Sequence, residues 1–215
     1  FVNFVIDNHF SHKKINSLIK LSLKNNFLLD ISNLLSEILF KEFISFKKKN
    51  KTSTVLNNHY NQFVTEFIKR DHKKFFGRYP ICLRLIGEVT SQFIDSSNEL
   101  ITRIFRDELS IKKYFNIEND TYISDISALN SDKHNDGRSV FLIKFKNNLK
   151  IIYKPKDLTI DQLWNSSINI FNEKSKIKIH KCKILKKNNY EYFEYINHNE
   201  CKSIRKVREF YKSFG

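Results

Sequence analysis

The residues with the clearest chemical potential lie between Ser131 and Lys156, SDKHNDGRSVFLIKFKNNLKIIYKPK. Asp132, His134 and Asn135 lead into Gly137, one of only four glycines, and Arg138 follows it directly. Phosphate chemistry uses these types in this order. A glycine lets backbone amides approach an anion closely. A lysine on a strand shortly after can pair with phosphate oxygens, and Lys154 has that place. Arg138 to Phe145 alternates and is β-branched and aromatic, the pattern of a strand. Lys146-Asn147-Asn148 is a turn signal, because Asn tolerates left-handed backbone and bonds its own chain. Leu149 to Tyr153 is the return strand, and Pro155 closes it by removing an amide donor. A single glycine is not a Gly-rich loop, so a surface hairpin with a solvated lysine fits the same spacing.

The layout is similar to that of protein kinases, where a loop covers the phosphates and a strand carries the lysine. DKHNDGRSV followed by IIYKPK also resembles the D-x-H-x-x-G-R-S-V and Y-K-P-R signatures of class II lanthipeptide synthetases. Upstream, Tyr79-Pro80 through Arg84-Leu85, then Arg103 and Asp107, is similar to that family's Y-P-x-L-x-R-L segment and the helix after it. Downstream, Tyr190 to Ile196 resembles its Y-x-W-x-E-x-I strand. Cys201-Lys202-Ser203 through Phe210-Tyr211 to Gly215 resembles its C-x-S and F-Y segment. The match spans roughly residues 35 to 215. Two positions depart from the pattern. Tyr192 stands where Trp is frequent, and Lys156 stands where Arg is usual, which keeps charge but loses a bidentate fork.

The resemblance implies a dehydratase with a kinase-like core. Such an enzyme phosphorylates Ser and Thr of a ribosomal precursor peptide with ATP and Mg²⁺, then eliminates phosphate to give dehydroamino acids. Carried over by position, Lys154 matches the lysine that contacts phosphate and assists elimination. Asp132 and His134 match loop positions that take part in the chemistry, and Gly137 and Arg138 match residues that shape the loop. The types suit the task, since elimination needs a base and cationic stabilisation of the leaving phosphate. In kinases a helical acid pairs with the strand lysine. Glu173 is a candidate for that role, and Asp161 is another. The resemblance places the Mg²⁺ ligands outside this segment, and Zn²⁺ only in a cyclase domain this chain lacks. Without a catalytic loop, the segment alone is expected to be inactive.

Composition sets wider bounds. The 215 residues carry a net charge of +15, with 20 Phe and alanine nearly absent. Such a charge raises the alternative of a basic helical module that binds nucleic acid, or of a non-catalytic scaffold. The excess is spread along the chain, however, and Lys, Asn, Ile and Phe abundance is also the mark of an AT-rich genome. Cys82, Cys182 and Cys201 are far apart and signal neither a zinc site nor a disulfide framework. No signal-peptide pattern and no bilayer-length apolar run is seen, so a cytoplasmic location is expected. The chain opens on Phe1 and contains no Met, which reads as an internal piece of a longer protein.

The elements that must position the chemistry follow from periodicity. Ile15–Leu23, Leu28–Phe46, 57–75, Ile81–Ile94 and Asn98–Phe115 have helical spacing, with Asp30 or Ser32 as a cap for the second. Leu83, Ile86, Val89, Phe93, Leu100, Ile104 and Leu109 are read as core. Cys82 is read as a buried small hydrophobe. Pro80 opens its helix at the first turn. After Phe115 the pattern changes: a strand at Tyr122–Leu129, the hairpin, a helix from Thr159 to Phe171, strands at Lys178–Leu185 and Tyr190–Ile196, and a helix at Ser203–Phe214. The expectation is α+β. Residues 1–116 form a helical region. Residues 117–215 form a kinase-like N-lobe whose last strand leads to a hinge where an adenine would sit.

Overall fold

The computed structural model describes residues 1–12, 14–50, 56–69, 72–129, 133, 136–156, 159–176, 178–198 and 200–214. Five helices come first: α1 (Val2–His9), α2 (Ser17–Lys49), α3 (Leu56–Lys69), α4 (His72–Arg78) and α5 (Pro80–Phe115). Strands β1 (Ile123–Ala128), β2 (Phe141–Phe145) and β3 (Lys150–Lys154) follow, then α6 (Thr159–Lys174), β4 (Ile184–Lys186), β5 (Glu191–Glu194) and α7 (Ile204–Phe214). The fold is α+β, a helical region followed by a five-stranded sheet in the order β1-β2-β3-β5-β4. All four neighbouring strand pairs are antiparallel.

Two pairs of expected helices are single helices. α2 runs through Asn25 and Asn26, and α5 runs through Asp95, Ser96 and Ser97. The polar residues that read as breaks are occupied otherwise. Asn26 donates to the Ile126 carbonyl at 2.8 Å and accepts from the Ala128 amide at 3.1 Å. Asn16 caps α2 by accepting from the Ile19 amide, and also donates to the Ile123 carbonyl. Ser22 accepts from the Ile126 amide at 3.3 Å. Ser96 folds back onto the Gln92 carbonyl at 2.6 Å, a bond a helix tolerates. Asp30 and Ser32 lie inside α2 and cap nothing. Pro80 does open α5, and Asn116 closes it in the left-handed conformation at φ 57°. The expected helix over 57–75 corresponds to α3 and α4.

The hairpin follows its sequence signals. Asn148 adopts φ 64°, and the Asn147 side chain accepts from the Leu149 amide. Alternation then sorts the sheet into two faces. Phe141, Ile143, Phe145, Ile151, Tyr153 and Tyr192 join α1, α2 and α5 in one apolar cluster with Phe27, Phe93, Leu100 and Ile104. Cys82 and Ile86 are buried as expected. Leu83 and Leu109 are not core: they are 50% and 78% exposed, on the outer side of α5. The expected strand over Lys178–Leu185 shortens to β4, because the Asn172 side chain ties down both the amide and the carbonyl of Ile179. Among the described residues no helix is long and apolar enough to cross a membrane.

Candidate active site

Lys154 ends β3, opposite Glu191 of β5. Its ammonium lies 3.8 Å from the centroid of the Phe193 ring and 3.3 Å from the Asp161 carboxylate, with both side chains about 30% exposed (30% and 29%). Asp161 sits in the first turn of α6. The lysine partner is therefore Asp161 and not Glu173, which is exposed near the other end of the helix. Twelve residues of helix separate the two, roughly 18 Å along the axis. Glu191 is fully buried beside Lys154 and faces Lys186 on its other side. Lys186 in turn reaches the Thr159 hydroxyl at the start of α6. The strand lysine thus lies where β3, β5 and the α6 N-terminus converge.

Asp132, His134 and Asn135 lie outside the described residues. The loop's flanking residues are placed. Lys133 pairs with Asp30 of α2 at 2.5 Å. Asp136 and Gly137 both have positive φ, 64° and 82°. A Cβ on Gly137 would stand 2.8 Å from the Cβ of Gln92 on α5, so this position needs glycine for both conformation and space. Arg138 Nε donates to Glu99 Oε2 at 2.6 Å. That bond raises the pKa of the guanidinium beyond its ordinary value.

The sheet face behind Lys154 is tied to α5 by a buried polar network. Arg103 pairs with Glu99, donates to the Tyr153 hydroxyl at 2.7 Å, and lies 4.3 Å over the Tyr190 ring. Asp107, buried, accepts from the Tyr190 hydroxyl at 2.5 Å and from the Tyr192 hydroxyl at 3.1 Å, with Lys187 at 3.3 Å. Arg106 donates to Tyr190. Arg103 and Asp107, singled out by resemblance, are thus the helix residues that grip the strand bearing Lys154 and its neighbour. Sequence reasoning missed Glu99, Gln92 and the α5–tyrosine bonds. The Glu99–Arg103 pair, four residues apart on one helix, was the available signal.

Burial of Tyr153 raises its pKa to about 12, although the bond from Arg103 opposes the shift. Burial also raises those of Tyr190 and Tyr192, with Asp107 adding to both. A phenol with a raised folded-state pKa keeps its proton longer when folded. Its contribution is present below pH ~10 and lost as pH climbs through the folded value. For Tyr153 the loss is roughly 2–3 kcal/mol between about pH 10 and 12. Chemical denaturation should show a steep fall in stability above pH ~10. Tyr153→Phe should flatten part of that slope; an unchanged slope would contradict the assignment.

Residues 79–215 match the family model described as a domain of unknown function, DUF4135, and the chain belongs to that family. No curated protein matches the chain.

Proposed function

We propose that this chain is part of a lanthipeptide dehydratase, within a larger synthetase that also forms thioether rings. In this reading the enzyme transfers phosphate from ATP to Ser or Thr of a precursor peptide and then eliminates it. The observation that carries the reading is the setting of Lys154. A cation at the end of a central strand meets an acid from the first turn of the helix that crosses between β3 and β4. It stands on a ring face rather than in open solvent. The pairing of a strand lysine with an acid from the following helix is similar to the ion pair by which kinase lobes hold that lysine ready for phosphate.

Lys154 compensates phosphate charge in both steps. In elimination a base removes the α-proton, the Cβ–O bond breaks, and the electron pair leaves with phosphate, whose charge the ammonium offsets. Asp161 holds the ammonium when no phosphate is present. Asp132 and His134 enter only by their match to the loop motif, as acid–base candidates. ATP supplies the phosphoryl group when bound. Among the described residues no three His, Cys, Asp or Glu side chains come together to hold a metal.

The reading is tested by incubating the synthetase that contains this segment with its precursor peptide and ATP, and following the peptide by mass. Phosphorylated and dehydrated peptide is the expected result. If neither forms, while the isolated chain binds RNA or DNA with steep salt dependence, the nucleic-acid alternative replaces it.

A further inference from the structure

Resting on the dehydratase reading, the geometry points to Glu99 as a positioning residue that fixes the phosphate-side loop relative to the Lys154 strand. One carboxylate joins two arginines from different places. Its Oε2 holds Arg138, the residue after Gly137, and its Oε1 holds Arg103. Arg103 then bonds Tyr153, the neighbour of Lys154 on β3. The chain Arg138–Glu99–Arg103–Tyr153 therefore runs from the loop to the strand through a single acid on α5. Glu99 and Arg103 are 23% and 16% exposed, shielded enough for charge-assisted bonds to hold a geometry.

The loop needs such a holder. Asp136 and Gly137 are both in the left-handed region, which Asp adopts only at a cost. Gln92 packs directly beneath Gly137. On the other side Lys133 is tied to Asp30 of α2. In sequence, His134 lies between the anchored Lys133 and Arg138 and Asp132 directly precedes Lys133, and Glu99 is the anchor that also reaches the lysine strand. Misplacement by about 1 Å of a group that must meet a reacting atom costs on the order of 100-fold in rate.

The first test is hydrogen exchange on the 215-residue chain, which needs no activity. Glu99→Gln keeps the side-chain shape and removes the charge. Amides of residues 136–140 are expected to exchange about tenfold faster, while those of Ile143 and Ile151 stay protected. Unchanged exchange at 136–140, or a uniform rise across the sheet, overturns the inference. The second test is kinetic, in the synthetase. Glu99→Gln is expected to lower kcat for dehydration about 10–100-fold with little change in the KM for ATP, and Glu99→Asp is expected to recover part of it. A loosened loop with kcat within threefold of the parent (~0.7 kcal/mol) makes Glu99 a structural tie only and also overturns the inference. Lys154→Ala run in parallel separates the two failures. If it abolishes dehydration while Glu99→Gln does not lower kcat, only this inference falls. If Lys154→Ala leaves dehydration intact, the role of Lys154 on which this inference rests falls with it, whereas a parent synthetase that dehydrates no peptide sinks the dehydratase reading itself.

Discussion

On the proposed dehydratase function, Lys154→Ala in the synthetase should lower dehydration of the precursor peptide by about 100- to 1000-fold, the usual effect of deleting one preorganised charge at a developing anion. Phosphopeptide should accumulate if elimination suffers more than transfer. The fold should survive. The ion pair with Asp161 is partly exposed and such pairs contribute about 0.2–1 kcal/mol. The contact with the Phe193 ring adds roughly 0.5–1 kcal/mol. A loss near 1 kcal/mol lowers the unfolding midpoint of a chain this size by about 2–4 °C. Mass spectrometry of the peptide and a thermal melt, measured on one preparation, check both halves. Dehydration within about tenfold of the parent (~1.4 kcal/mol) would remove Lys154 from the chemistry. A large drop in midpoint would instead make the activity loss a folding effect.

The largest effect on stability is expected at Asp107. Alanine there removes the buried acceptor of two tyrosine hydroxyls and leaves the half-buried Lys187 without its carboxylate partner. Breaking one side of a buried charged network costs about 3–5 kcal/mol, and an orphaned hydroxyl adds about 1–3 kcal/mol where it cannot reach water. Tyr192 is 0% exposed and has no such route. Taking roughly 3 kcal/mol as the net, the midpoint should fall by about 6–12 °C. Asp107→Asn, which keeps an acceptor oxygen, should cost less than half of that. Calorimetry of the three proteins decides it. A fall below about 3 °C for the alanine variant would mean that the tyrosines find other partners.

Local signals made the hairpin legible. Alternation over Phe141–Tyr153 and the Asn turn are properties of neighbours in sequence, and both strands form, the first starting at Phe141 rather than Arg138 and the second running Lys150–Lys154. Cys82 and Pro80 were legible for the same reason. Asp161 and Glu173 could not be ranked in advance, because the connection after Lys154 decides which end of α6 returns to the strand. The polar residues of α2 and α5 misled because their partners are far away. Asn26 serves β1, about a hundred positions on (|i−j| = 100). Ser22 does the same, and Glu99 reads as a solvated helix acid until Arg138 is folded against it. Long-range satisfaction of polar groups leaves no periodic trace. That is why the elements could be read from the chain and the clamp around the site could not.

The bonds from α2 to β1 carry a consequence of a different kind. β1 borders the sheet, and a bordering strand offers unpaired amides and carbonyls to any passing chain. Here Asn16, Ser22 and Asn26 occupy the outward groups of Ile123, Ile126 and Ala128. Three side chains, the α2 cap Asn16 and two on the helix itself, impersonate the strand that would otherwise come next. Four backbone groups of the β1 edge are thus taken, and a strand from another molecule can pair with them only after α2 peels away.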